Sequence, residues 1–80
     1  MLQPLITMLE ITCNDRLGRK FIVKCLPEDT IGEFKQVLAL QMGSKPQNIS
    51  LKRGYTVFKD HISLQDYEIN DGTNLELYYS

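Results

Sequence analysis

Eighty residues leave room for one small domain, and 42% hydrophobic with 24% charged residues is the composition of a folded chain rather than a disordered one. A formal net charge of −1 argues against a direct nucleic-acid binder, and the longest basic clusters, Arg19-Lys20 and Lys52-Arg53, read as solvated strand or turn residues. No apolar run approaches the ~20 residues needed to span a bilayer, and residues 1–7 lack the basic start and long apolar stretch of a secretory signal. No membrane association and a setting in the nucleus and cytoplasm are therefore expected.

Met8 to Cys13 alternates, with Leu9, Ile11 and Cys13 on one face, as a half-buried strand does. Asn14-Asp15-Arg16-Leu17-Gly18 supplies turn formers, and Arg19 to Cys25 then reads as a second strand with Phe21, Val23 and Cys25 inward. Two alternating runs joined by a short loop make an antiparallel hairpin. Pro27 ends the second strand because it cannot donate to a ladder.

Thr30-Ile31-Gly32-Glu33 has the form of a capping box, in which the Thr30 hydroxyl and the Glu33 carboxylate satisfy each other's backbone N–H groups. The helix it opens is expected to run to about Met42 and to stop at Gly43 in a left-handed cap. At ~100° per residue, Ile31, Phe34, Leu38 and Met42 form the stripe that covers the hairpin.

Pro46 is read as marking an extended connection, followed by short strands at Ile49–Lys52 and Tyr55–Phe58 with Arg53-Gly54 turning between them. Leu64 and Tyr67 sit three apart, as in a single 3₁₀ turn. Asn70-Asp71-Gly72 is a further turn. Asn74 to Tyr79 alternates again, with Leu75, Leu77 and Tyr79 inward.

The order is strand, strand, helix, strand, strand, short turn, strand. A hairpin, a crossover helix and a strand returning parallel to the first make an α+β, β-grasp arrangement: a mixed β-sheet packed on one main α-helix. Residues 1–7 are read as an N-terminal extension and 8–80 as the domain.

Several runs carry a family resemblance. Pro27-Glu28-Asp29-Thr30-Ile31, Ser63 to Ile69, and Asn74-Leu75-Glu76-Leu77 resemble segments of ubiquitin. Cys13-Asn14-Asp15-Arg16-Leu17-Gly18, Phe58-Lys59-Asp60-His61, Asp66-Tyr67-Glu68-Ile69 and the ending Asn74-Leu75-Glu76-Leu77-Tyr78-Tyr79 are more closely similar to the ubiquitin-like protein 5 family. Met8 corresponds to the usual start of that family. It commonly carries a histidine where Asn70 stands and a bulky residue such as tryptophan near Gly54, so this chain departs from the pattern at both places.

The resemblance implies a partner: a spliceosomal protein, chiefly one tri-snRNP component, bound through a short helical element, with a consequent influence on splicing. It also implies that Asp29, the acid before the helix, pairs with an arginine of that element. In ubiquitin an apolar patch centres on an isoleucine of the third strand; by the resemblance Lys52 stands there, so ordinary ubiquitin receptors are not expected to bind.

The residues themselves point to one binding surface. Ile22, Lys24 and Leu26 alternate with the inward positions of the second strand, and Val37 falls roughly 90° from the centre of the buried helix stripe. Ile22, Leu26 and Val37 are expected to form an apolar strip with Asp29 at its end, suited to an amphipathic helix. Single exposed apolar residues are common on any surface, and a carboxylate before a helix also serves the macrodipole; the resemblance favours the binding reading. Asp29→Ala is then expected to weaken binding while leaving stability almost unchanged.

Covalent conjugation calls for a flexible diglycine tail, whereas this sequence ends Tyr78-Tyr79-Ser80 directly after a strand. A monomer acting without covalent attachment, not an enzyme and without cofactor or metal, is expected. A covalently conjugated tag, or an adaptor module outside splicing, are the alternatives. Cys13 and Cys25 fall about 13 Å apart at strand rise, too far for the ~7 Å limit of a disulfide, so two buried thiols are expected.

Overall fold

A computed structural model describes residues 8–79; the expected extension, residues 1–7, and Ser80 lie outside the described residues. The chain folds as β1 (Leu9–Asn14), β2 (Lys20–Cys25), α1 (Ile31–Met42), a 3₁₀ turn (Pro46–Asn48), β3 (Ile49–Arg53), β4 (Thr56–Val57), a second 3₁₀ turn (Gln65–Tyr67) and β5 (Asn74–Tyr79). The strand order is β2-β1-β5-β3-β4, with β1 and β5 parallel at the centre and the other pairs antiparallel. This is the β-grasp arrangement that the order of elements implies.

The period-2 pattern works as expected in β1, where Leu9, Ile11 and Cys13 are buried. In β2, Val23 and Cys25 are buried and Phe21 is half-buried against the same core. Cys13 stands opposite Phe21 and Leu9 opposite Cys25, so the two thiols occupy distant rungs of the ladder and are free and buried.

Helix α1 begins where the capping box places it. Thr30 Oγ1 accepts from the Glu33 N–H at 3.2 Å, and Glu33 Oε1 accepts from the Thr30 N–H at 2.9 Å. It ends at Gly43, whose φ of 70° a side chain would strain, with its N–H donating to the Ala39 carbonyl. The buried face is broader than the expected stripe: Lys35 and Ala39 are buried as well, and Met42 is only half-buried. Lys35 tolerates burial because its ammonium meets Asp60 Oδ1 at 2.7 Å.

Three expectations need correction. Pro46 opens a 3₁₀ turn rather than an extended link, since the first helical position has no use for the missing N–H. Arg53 belongs to β3, while β4 shortens to Thr56–Val57 around a two-residue turn, Gly54-Tyr55. Tyr79 does not close the core: it is 45% exposed. β5 runs past the end of its pairing with β1, so the ring reaches the β1–β2 loop instead.

Candidate functional site

Asp29 sits in a loop that is zipped to a distant segment. Leu64 N–H donates to the Asp29 carbonyl and Gln65 N–H to the Pro27 carbonyl, both at 2.9 Å. Within the loop, Asp29 N–H donates to the Leu26 carbonyl at 3.1 Å, and Leu26 N–H donates to Asp29 Oδ2 at 2.9 Å. The carboxylate therefore closes its own turn. Its other oxygen, Oδ1, accepts from no described residue, and the side chain is only partly covered.

This geometry corrects one expectation. Removal of the Asp29 side chain strands the Leu26 N–H, which costs about 1 kcal/mol, or ~4–8 °C of melting temperature in a domain of this size. Asp29→Ala is thus not neutral for stability.

Ile22 and Val37 are 54% and 44% exposed. Ile22 points away from the helix side of the sheet, because its neighbours Phe21 and Val23 point toward it. Val37 lies on α1, and Gln41, one turn further along the same flank, donates its side-chain amide to the Ile22 carbonyl at 3.1 Å. The two apolar residues therefore border the β2 edge from opposite sides, joined by this bond. The strip wraps around an edge rather than lying flat on one face.

Leu26 lies beyond the end of β2 and is half-buried, so it contributes less surface than Ile22. Lys24 is exposed and stands opposite Glu10 in the ladder. With Glu10, Met8 and Asp71 it lines a shallow depression of about 340 Å³, partly closed by the Glu10 N–H bond to Asp71 Oδ1 at 2.8 Å. Leu40 is strongly exposed on the helix and extends the apolar surface on the solvent side.

Two polar centres escaped sequence reasoning. One is Asp15, whose side chain is fully enclosed. Burial pushes its carboxyl up, but the Arg19 backbone N–H, the Arg19 guanidinium, the Leu17 N–H and the Tyr79 hydroxyl together hold it below its ordinary value of 3.8. The other is Glu76, whose two oxygens accept from the Tyr78 hydroxyl at 2.8 Å and the Gly54 N–H at 3.4 Å. Aspartate in a turn and glutamate in a strand are ordinary surface patterns; only the fold brings Tyr79 and Gly54 to them.

Burial, and then the charge of Cys25, push the Cys13 thiol up to about 12; burial, and then the Asp29 carboxylate, push Cys25 up to about 11. Neither is a nucleophile at neutral pH. Among the described residues no group of three or more His, Cys, Asp or Glu is arranged to hold a metal, and no helix is long and apolar enough to cross a membrane.

No protein-family model matches the chain. It is 64% identical over 72 residues to Ubiquitin-like protein 5 of Drosophila melanogaster, covering 90% of this chain and 99% of the fly protein. It is 61% identical over 72 residues to Ubiquitin-like modifier HUB1 of Saccharomyces cerevisiae, again 90% and 99%, and 58% identical over 73 residues to hub1 of Schizosaccharomyces pombe, covering 91% and 100%. Among solved structures it resembles the UBL domain of Plasmodium falciparum Dsk2, with a TM-score of 0.86 at 22% identity, over 92% of this chain and 100% of that one, a likeness of fold. At such identity over nearly its whole length, the chain belongs to the ubiquitin-like protein 5/HUB1 family of ubiquitin-like modifiers.

Proposed function

We propose that this ubiquitin-like modifier works by binding rather than by covalent attachment. It takes a short helical element of a spliceosomal protein, chiefly a tri-snRNP component, on the surface bordered by Ile22, Lys24, Leu26, Val37 and Asp29, and so modulates pre-mRNA splicing. It acts as a monomer in the nucleus and cytoplasm.

The observation that carries this reading is that Ile22 on β2 and Val37 on α1 are both exposed along the β2 edge, where the Gln41–Ile22 bond joins the helix to the strand. An amphipathic helix needs such a preformed apolar ledge. Asp29 supports the same reading: its turn fixes the carboxylate, and the oxygen that Leu26 leaves unused is available to an arginine.

The test is calorimetric titration with a synthetic amphipathic helical peptide bearing one arginine, drawn from a spliceosomal protein. Asp29→Asn retains an acceptor for the Leu26 N–H and removes the charge. It is expected to weaken binding by about tenfold, the scale of a lost charged pair, with melting temperature nearly unchanged; Asp29→Ala is expected to lose both. Wild-type affinity in Asp29→Asn overturns the role of Asp29. ATP-dependent adducts that survive denaturing electrophoresis of cell extract would overturn the non-covalent reading.

A further inference from the structure

The two edges of the sheet are not alike. At β2, the outward carbonyl of Ile22 is occupied by Gln41. At β4 the register leaves the backbone open. Phe58 N–H donates to the Leu51 carbonyl at 3.0 Å, and the next pair toward the turn is Lys52 with Val57. In an antiparallel ladder the pair that follows a hydrogen-bonded pair turns its backbone groups outward. Val57 therefore presents its N–H and C=O away from β3, at a free edge.

The side chains around that edge are unusual in combination. Gly54, with φ of 62°, takes the first position of the two-residue turn, a conformation open to glycine and found in hairpins of the II′ type. This throws the next residue, Tyr55, fully into solvent at 106% of its reference surface, and Val57 beside it is 56% exposed. Residues 45–59 contain Lys45, Lys52, Arg53 and Lys59 and no acid. Among the described residues the ion pairs are Asp15–Arg19 and Lys35–Asp60, so Lys52, Arg53 and Lys59 face no carboxylate within salt-bridge reach. Lys52 lies over the Tyr78 ring at 5.1 Å, and Arg53 donates to the Tyr67 carbonyl at 2.7 Å. Glu76 is the neighbouring acid, and both its oxygens are already engaged by Tyr78 and Gly54.

We propose that the β4 edge and the hairpin tip form a second docking surface, which takes an extended acidic segment of another protein. The segment adds a strand against Val57, sets apolar side chains on Tyr55 and Val57, and places carboxylates toward Lys52, Arg53 and Lys59. A peptide fits better than RNA, because the open groups are strand donors and acceptors and Tyr55 is a lone aromatic rather than a row of stacking platforms. The β4 edge is the opposite edge of the sheet from β2, which carries Ile22 and Lys24, so the two strands can be engaged separately.

The test is NMR titration of the ¹⁵N-labelled domain with the extended peptide Ac-EEVIVDE-NH₂, and separately with octauridylate. Peptide shifts are expected at Lys52, Tyr55, Val57 and Lys59, weakened by salt, and retained in Asp29→Asn. Tyr55→Ser and Val57→Pro are each expected to weaken peptide binding at least about fivefold; the proline removes the outward N–H and the exposed valine side chain without taking a hydrogen bond from the β3–β4 pair, and the wild-type spectrum elsewhere checks that its fixed φ leaves the fold intact. The proposal is overturned if the peptide shifts nothing or shifts only the β2 side, if both variants bind like the wild type, or if octauridylate binds these residues more tightly.

Discussion

The Asp15 carboxylate accepts four hydrogen bonds, from the N–H groups of Leu17 and Arg19, the Arg19 guanidinium and the Tyr79 hydroxyl. Arg19 also donates to the Tyr79 hydroxyl at 2.6 Å and lies over the rings of Phe21 and Tyr79. One side chain thus ties the first hairpin to the last strand. Because the folded carboxyl titrates below 3.8, its contribution is full above that value and disappears as pH falls through the folded value. Tyr79 works in the other direction. Burial, then its bond to Asp15, raise its phenol above 10.0, so its contribution holds below that value and is lost as pH rises through the folded one. Asp15→Ala is expected to lower the melting temperature markedly at pH 7, and by progressively less as pH falls through the lowered folded value and the wild type itself loses the charge. Thermal melts across pH check this; an equal loss at both ends would place the effect in packing rather than in the carboxylate.

At the scale of elements, the turn geometry makes two opposite predictions. Gly43 holds φ of 70° with open space where a Cβ would stand, so Gly43→Ala costs only the conformational penalty, about 1 kcal/mol. Glu68 holds φ of 57° after the second 3₁₀ turn, with its N–H on the Gln65 carbonyl, and already carries that penalty. Glu68→Gly relieves it, and the gain is reduced by the extra freedom of glycine in the unfolded chain. Denaturant unfolding is expected to show the first change destabilising and the second neutral or stabilising by up to ~1 kcal/mol. A loss in Glu68→Gly as large as that in Gly43→Ala would show that the Glu68 side chain has a role of its own.

Across the whole molecule, Cys13 and Cys25 lie in adjacent strands of the sheet and their thiols are both raised well above neutral pH. A thiol reagent reaches them only when the sheet opens. Native protein at pH 8 is expected to react slowly and denatured protein to give two thiols per chain. Rapid native reaction of Cys25 alone would mean that β2 detaches without global unfolding. That outcome would also bear on partner binding, because Ile22 and its bond to Gln41 lie on the same strand.

The fold was largely legible because its signals are local. Alternation in β1, β2 and β5, the Thr30–Glu33 box and Gly43 each depend on residues within one element, and the order of elements then leaves few topologies. The exposure of Ile22 and Val37 followed from the same periodicities. Everything that depends on residues far apart in the chain was settled by tertiary structure. Asp29 became a turn-closing acceptor, Lys35 became buried because Asp60 reaches it, and Tyr79 left the core for Asp15. Short-range patterns fix which face of a strand or helix is apolar, because backbone geometry repeats every two or 3.6 residues. They carry no information about which polar atom meets which across 60 residues of chain, and that depends on the register of the assembled sheet.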